Sequence, residues 1–438
     1  MNNTQKEIWI NSYPVFIWLV LEPVVGLIDS KIASLIGITT LSSIGIAETI
    51  YFVFIWIFIF LAYGTTPFVA SLKTKGEVNN LNYFIKFGRN TSLTLGIISI
   101  FILIFSSSYL ISIFNPTEDI FTLSKNYLVY RCIGIPFYLL NMHSTAVLRG
   151  LKVPNITFQS ALIVALLNIC FSYIFGISLN FGASGIGFAS TISFLFASLF
   201  SSYKLTRHSQ KLERSSESVE KKQLKKKFFQ VGFLILIRSF FLTFFMAYLR
   251  NKASLMSMEE IALQHLLLQF WSFGYIFVDA VAIASQALVA ELISKKINFQ
   301  NSSLQTELIK LTSKISIFLF IFSFIFLQSF VRIFDSDNLL EYTTIEIRIL
   351  FSLSLFIGSY AFLWDGVLLG LDQSKQFALI TIFSSLLGFL FSSLFLSRNE
   401  NLVSLWLALD LSLISRAVLG YFFQRSSYST AFNTGLSK

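Results

Sequence analysis

Long apolar runs recur along the whole chain, separated by short polar stretches, and no other feature limits the fold as much. A run of about 20 apolar residues is long enough to cross the hydrocarbon core of a bilayer. About twelve such runs can be placed, near residues 8–36, 45–72, 88–113, 126–148, 156–177, 184–205, 228–249, 261–293, 309–331, 343–370, 376–397 and 401–424. Inside lipid every backbone N–H and C=O must be satisfied within its own segment, so runs of this length are helices. The expected fold is an all-α polytopic membrane protein with twelve transmembrane helices. A mean hydropathy of +0.71, with 13% charged residues in 438, fits that class.

The polar stretches set orientation. With the N-terminus inside, Lys and Arg on the inner segments outnumber those on the outer ones by about three to one, which places both termini in the cytoplasm. In this count Arg149 belongs to an inner loop and Arg131 to the outer side. The net charge of +10 is spread over these loops, so it is no sign of a nucleic-acid partner. The N-terminus, MNNTQKEIW, has neither a basic n-region nor a small-residue cleavage site, so the first run is expected to stay as a span. Cys132 and Cys170 both fall in apolar runs and suggest no disulfide or metal framework.

Arg207 to Lys227 (RHSQKLERSSESVEKKQLKKK) has mixed charge and no apolar periodicity, and reads as a flexible cytoplasmic linker. It divides the chain into 1–206, 207–227 and 228–438, with six expected spans on either side. The two halves echo each other: AVLRGLKVPN at Ala146–Asn155 is answered by GVLLGLDQSK at Gly366–Lys375. An even number of spans per half gives a parallel repeat, hence two pseudo-symmetric six-helix bundles with a cavity between repeats.

Charge inside the apolar runs points to function. The first run carries Glu22 and Asp29 with Pro23 between. Seven residues apart on a helix, the acids lie about 20° from each other on one face and roughly 10 Å apart along the axis. Pro23 removes one backbone hydrogen bond near Leu19 and gives the helix a place to bend. A carboxylate at helix centre costs roughly 2.5–3.5 kcal/mol on insertion scales, so it is expected to face a bundle interior or a wet cavity. Arg238 and Asp279, in consecutive runs, could form a buried charge pair, and Asp365 suits a structural or gating role. Glu48 is expected to reach water at the outer end of its run. Asn168 and Ser172 are one turn apart on a common face. His143, His208 and His265 have no metal spacing, and the sequence has no G-x-x-x-x-G-K-[ST], which argues against direct ATP use.

Taken together, these residues resemble the multidrug and toxic compound extrusion (MATE) transporters, and specifically their DinF-like branch. The resemblance rests on P-x-x-G-L-x-D at Pro23–Asp29, GTT at Gly64–Thr66, LRG at Leu148–Gly150, Asn168, and GASGIGFAS at Gly182–Ser190. It continues with IALQ at Ile261–Gln264, the run around Asp279, and DGVLLG at Asp365–Gly370. It implies that Asp29 couples transport to protons or sodium, with Asn168 and Ser190 in the same polar cluster. Where the branch usually has an aspartate, four residues after the asparagine, this chain has Ser172. A serine does not titrate near neutral pH, which makes Glu22 the candidate second acid.

The resulting expectation is a secondary antiporter and not an enzyme, without cofactors or a resident metal, sodium at Asp29 being the alternative to protons. It would act as a monomer in a bacterial plasma membrane. The apparent excess of acids, with Arg238 the only mid-membrane base of the first eight runs, suggests organic substrates that are cationic or amphipathic. The alternatives are a flippase for a lipid-linked precursor, which a cationic cavity would favour, and a non-transporting scaffold, which would have no reason to bury acids.

Overall fold

A computed structural model describes residues 3–209, 221–253, 256–334, 338–395 and 401–433. The described residues are helical apart from short turns. In chain order the helices are α1 (Asn3–Ile36), α2 (Ile38–Trp56), α3 (Phe60–Tyr63), α4 (Thr65–Thr74), α5 (Val78–Ser112), α6 (Glu118–Ile133), α7 (Ile135–Gly150), α8 (Asn155–Phe171) and α9 (Gly182–Ser209). Then come α10 (Lys221–Ala253), α11 (Met258–Ser294), α12 (Ser303–Phe334), α13 (Asn338–Tyr342), α14 (Ile345–Gly370), α15 (Ser374–Phe395) and α16 (Leu402–Asn433). A π-helical stretch, Ser172–Ser178, continues α8.

Ten of these helices are long and apolar enough to cross a membrane. Two of the expected spans are broken, the one near 45–72 into α2, α3 and α4 and the one near 126–148 at Gly134. The expected span at 8–36 is a continuous helix, α1, which runs through Pro14 and Pro23. The span expected near 126–148 is broken into α6 and α7 at Gly134, with Pro136 in the first turn of α7. Proline lacks an N–H and crowds the carbonyl one turn back, so a helix restarts there more readily than it continues. The expected linker, 207–227, is described only at its two ends. Its flanks are helical, in α9 up to Ser209 and in α10 from Lys221, and residues 210–220 lie outside the described residues.

Contacts divide the chain into two units, Tyr13–Gly232 and Met1–Ser12 with Phe233–Lys438. In the first, α9 packs against α6, α7 and α8. Its small residues make this possible: a Cβ at Gly187 would lie 2.8 Å from the Tyr127 carbonyl oxygen, and one at Gly185 would lie 2.6 Å from the Phe175 backbone. In the second, α14 packs against α11, α12 and α16 around a core that includes Phe351, Leu355 and Trp406. The first residues of α1 belong here, with Gln5 Nε2 donating to Glu307 Oε2 at 2.7 Å and Ile8 buried.

The repeat seen in the sequence has a physical counterpart in each unit. A Cβ at Gly150 would meet the Thr66 carbonyl oxygen at 2.6 Å and Val69 Cβ at 2.8 Å. A Cβ at Gly370 would meet the Gln286 carbonyl oxygen at 3.0 Å and Val289 Cβ at 2.7 Å. Each glycine closes its helix against a partner helix of its own unit. The turn then passes through a positive φ two residues later, 60° at Lys152 and 63° at Asp372. These pairs keep one constant offset in sequence, so the same close approach is built twice.

Candidate functional site

Asp29 lies on α1 and is 5% exposed. Ser172 Oγ donates to its Oδ1 at 2.7 Å. The Asn168 amide sits between Asp29 and Ser190. With its nitrogen toward the carboxylate it donates to Oδ1 and Oδ2 at 2.9 and 3.0 Å, while its oxygen accepts from Ser190 Oγ at 2.8 Å. This orientation satisfies the groups on both sides. The helix changes from α to π at Ser172. Such widened turns recur at functional sites, and here Ser172 and Asn168 both reach the same carboxylate. Three donated hydrogen bonds offset part of the cost of a carboxylate out of water. The structure therefore brings together Asp29, Asn168, Ser172 and Ser190. The side chain of Glu22 lies outside the described residues.

Asp29, Asn168 and Ser190 line a cavity of about 110 Å³ in the first unit. Trp18, Phe52, Tyr138, Met142 and Phe194 form apolar wall. Three charged residues complete it, and sequence reading placed all three elsewhere. Glu48 is half-buried on the cavity wall and accepts from the Tyr127 hydroxyl at 3.0 Å, so it does not simply reach water. Arg131, counted with the outer side, is 8% exposed, its guanidinium carbon 4.6 Å from the Tyr51 ring centroid and 5.7 Å from that of Phe194. Arg149, counted with an inner loop, is 5% exposed and lies 5.1 Å from the Trp18 ring centroid. Arg238 is thus not the only buried base of the early runs. Among the described residues the wall therefore carries Arg131 and Arg149 as well as Asp29 and Glu48. The missed signal is local: Arg131 stands in LVYRCIGIP, where no other charged residue shares the apolar run.

The second unit holds a different cluster. Asp365 Oδ2 accepts from Arg238 Nη2 at 2.9 Å, Oδ1 accepts from Arg416 Nε at 3.2 Å, and Arg416 Nη2 also pairs with Oδ2. Arg238 Nε donates to Thr381 Oγ1 at 3.2 Å, and its guanidinium carbon lies 4.4 Å from the Phe377 ring centroid. Of the expected group, Arg238 and Asp365 are joined directly, with Arg416 as an unforeseen third member. Asp279 is buried on α11. Asp410, on α16, is 3% exposed, and both its oxygens are buried without a hydrogen-bond partner. Among the described residues no group of His, Cys, Asp and Glu could hold a metal ion.

Comparison with known proteins gives this geometry a setting. The MatE family model matches residues 14–174, the segment that contains the Asp29 cluster up to Ser172. Protein DETOXIFICATION 43 of Arabidopsis thaliana is 22% identical over 331 residues, which cover 75% of this chain and 62% of that protein. The chain thus spans less than two thirds of the length of the plant relatives it matches. The probable multidrug resistance protein NorM of Photorhabdus laumondii is 22% identical over 94% of both chains. A MATE structure in the bent conformation has a TM-score of 0.88 at 17% identity, covering 99% of this chain and 97% of that one. A MOP superfamily transporter from Pyrococcus furiosus, whose binding pocket is described as having a reverse polarity that suggests a different function, has a TM-score of 0.87 at 18% identity, covering 98% and 96%. MATE family members are transporters, not enzymes. The partial match to the family model, the relatives and the shared fold make the chain similar to MATE transporters over its described length.

Proposed function

We propose that the chain is a secondary active exporter of the DinF-like MATE branch, carrying amphipathic organic compounds outward in exchange for protons or sodium. The observation that carries this reading is the Asp29 carboxylate, held by Ser172 and Asn168 on the wall of a cavity. Occupation of Asp29 by a proton or Na⁺ removes the charge those donors serve. The cluster then rearranges, α1 changes its bend at Pro23, and the cavity yields its substrate outside. Parallel repeats support a rocking motion of two six-helix bundles, twelve spans in all, as the route of alternating access. The protein would work as a monomer in a bacterial inner membrane, with both termini and the 207–227 segment cytoplasmic and without a cofactor. Glu22, one face with Asp29 on the same helix, remains the candidate second acid.

The test is export from proteoliposomes under imposed proton or sodium gradients. Asp29→Asn should abolish gradient-driven transport while the protein still inserts and folds, because it removes the charge and keeps the size. Transport by that variant at the wild-type rate would refute the coupling role. Arg131 and Arg149 on the cavity wall favour a second reading, a flippase for a lipid-linked precursor. Gradient-independent movement of a lipid-linked anion between leaflets, with no export of soluble compounds, would select it.

A further inference from the structure

Arg131 carries five N–H donors, and no described side chain accepts from them. Its Nε is buried without a partner, and none of the described ion pairs includes it. The rings of Tyr51 and Phe194 steady the charge but offer its N–H groups no lone pair. Neither nearby acid accepts a hydrogen bond from it: Glu48 accepts from the Tyr127 hydroxyl, and Asp29 accepts from Ser172 and Asn168. A buried guanidinium needs acceptors, and the cavity it lines is where they can come from.

We infer that Arg131 anchors an acidic group, and that this cavity takes amphipathic organic anions, a carboxylate or sulfonate on an aromatic body. Arg149 adds a second positive charge to the same wall, and Trp18, Phe52 and Tyr138 supply the surface for the ring. The inference rests on the reading of this cavity as the transport site. It also limits the coupling mechanism. Neutralising Asp29 makes the cavity more positive, so release of an anion has to come from the changed shape of the Asp29 cluster and not from charge competition.

Two probes with one fluorophore and opposite charge, dansylglycine and dansylcadaverine, test it on the full-length protein in detergent. Dansylglycine should bind at least tenfold more tightly than dansylcadaverine. Arg131→Gln should weaken dansylglycine at least tenfold and leave dansylcadaverine within twofold, with Arg131→Lys in between because it keeps the charge and loses the fork. If Arg131→Gln does not fold, Glu48→Gln takes its place: it should tighten dansylglycine and weaken dansylcadaverine. Unchanged dansylglycine affinity in Arg131→Gln, the opposite response in Glu48→Gln, or a preference of the wild type for dansylcadaverine overturns the inference. Gradient-driven export of dansylcadaverine alone would likewise overturn it and leave the export reading standing. Arg131-dependent binding of dansylglycine without gradient-driven movement in liposomes would uphold the anion site and refute that reading instead.

Discussion

Asp365→Asn should be among the most damaging single changes in the second unit, although it alters one atom. The side chains of Arg238, Arg416 and Asp365 are 12%, 4% and 11% exposed, and the carboxylate is the acceptor that the two guanidiniums share. An amide keeps the shape but takes away the negative charge and replaces one acceptor oxygen with a donor aimed at cations. Removing one partner from a buried ion pair costs about 3–5 kcal/mol. Here the loss also leaves two positive groups near one former oxygen. At roughly 6 Å and an effective dielectric of about 20 their repulsion is near 3 kcal/mol, so it accounts for much of that figure. The rings of Phe377 and Phe362, 4.4 and 5.0 Å from the two guanidinium carbons, return about 0.5–1 kcal/mol each. The expected net loss is about 3–4 kcal/mol, read as reduced free energy of unfolding in detergent and lipid mixtures. Replacing all three residues by leucine should recover most of it, since apolar packing competes well with buried ion pairs. A loss below about 1 kcal/mol in Asp365→Asn would show that the cluster is open to water, and the argument would fail.

Asp410→Leu should raise stability by about 1–3 kcal/mol, because both carboxylate oxygens are buried without a partner and an apolar side chain removes that penalty; chemical denaturation of purified protein measures it, and a destabilised variant would mean that Asp410 is satisfied in the membrane. Gly150→Ala and Gly370→Ala should lower the melting temperature by similar amounts, each costing about 1–3 kcal/mol, since a Cβ at either position meets a carbonyl oxygen and a valine of a packed helix. Losses that differ by more than about 2 kcal/mol would show that the two closures are not equivalent.

What could be read from the sequence, and what could not, divides along one physical line. Hydropathy reports the length of an apolar run, and most of the expected spans appear as helices close to where they were placed. The Asp29, Asn168 and Ser190 cluster was legible because a carboxylate deep in an apolar run has few tolerable environments, and because the residues around it resemble a family. Ser172 looked like a lost acid. In the structure it donates to Asp29, so the position still serves the same carboxylate, as a donor and no longer as a second charge.

The failures concern charges near the ends of runs. Arg131, Arg149 and Glu48 each lie close enough to a polar stretch to be assigned to water, and the composition of a window cannot tell a loop residue from one whose helix breaks and turns it inward. For Arg131 the break is visible. Gly134 and Pro136 end α6 just beyond it, and a Cβ at Gly134 would come within 2.8 Å of Thr191 Oγ1 on α9. That close approach seats the end of α6 on α9, the helix that also carries Ser190 and Phe194 to the cavity wall. A glycine and a proline, which in the sequence look like punctuation inside one span, therefore help set the electrostatics of the site. They turn an apparent boundary charge into a buried cation on the cavity wall.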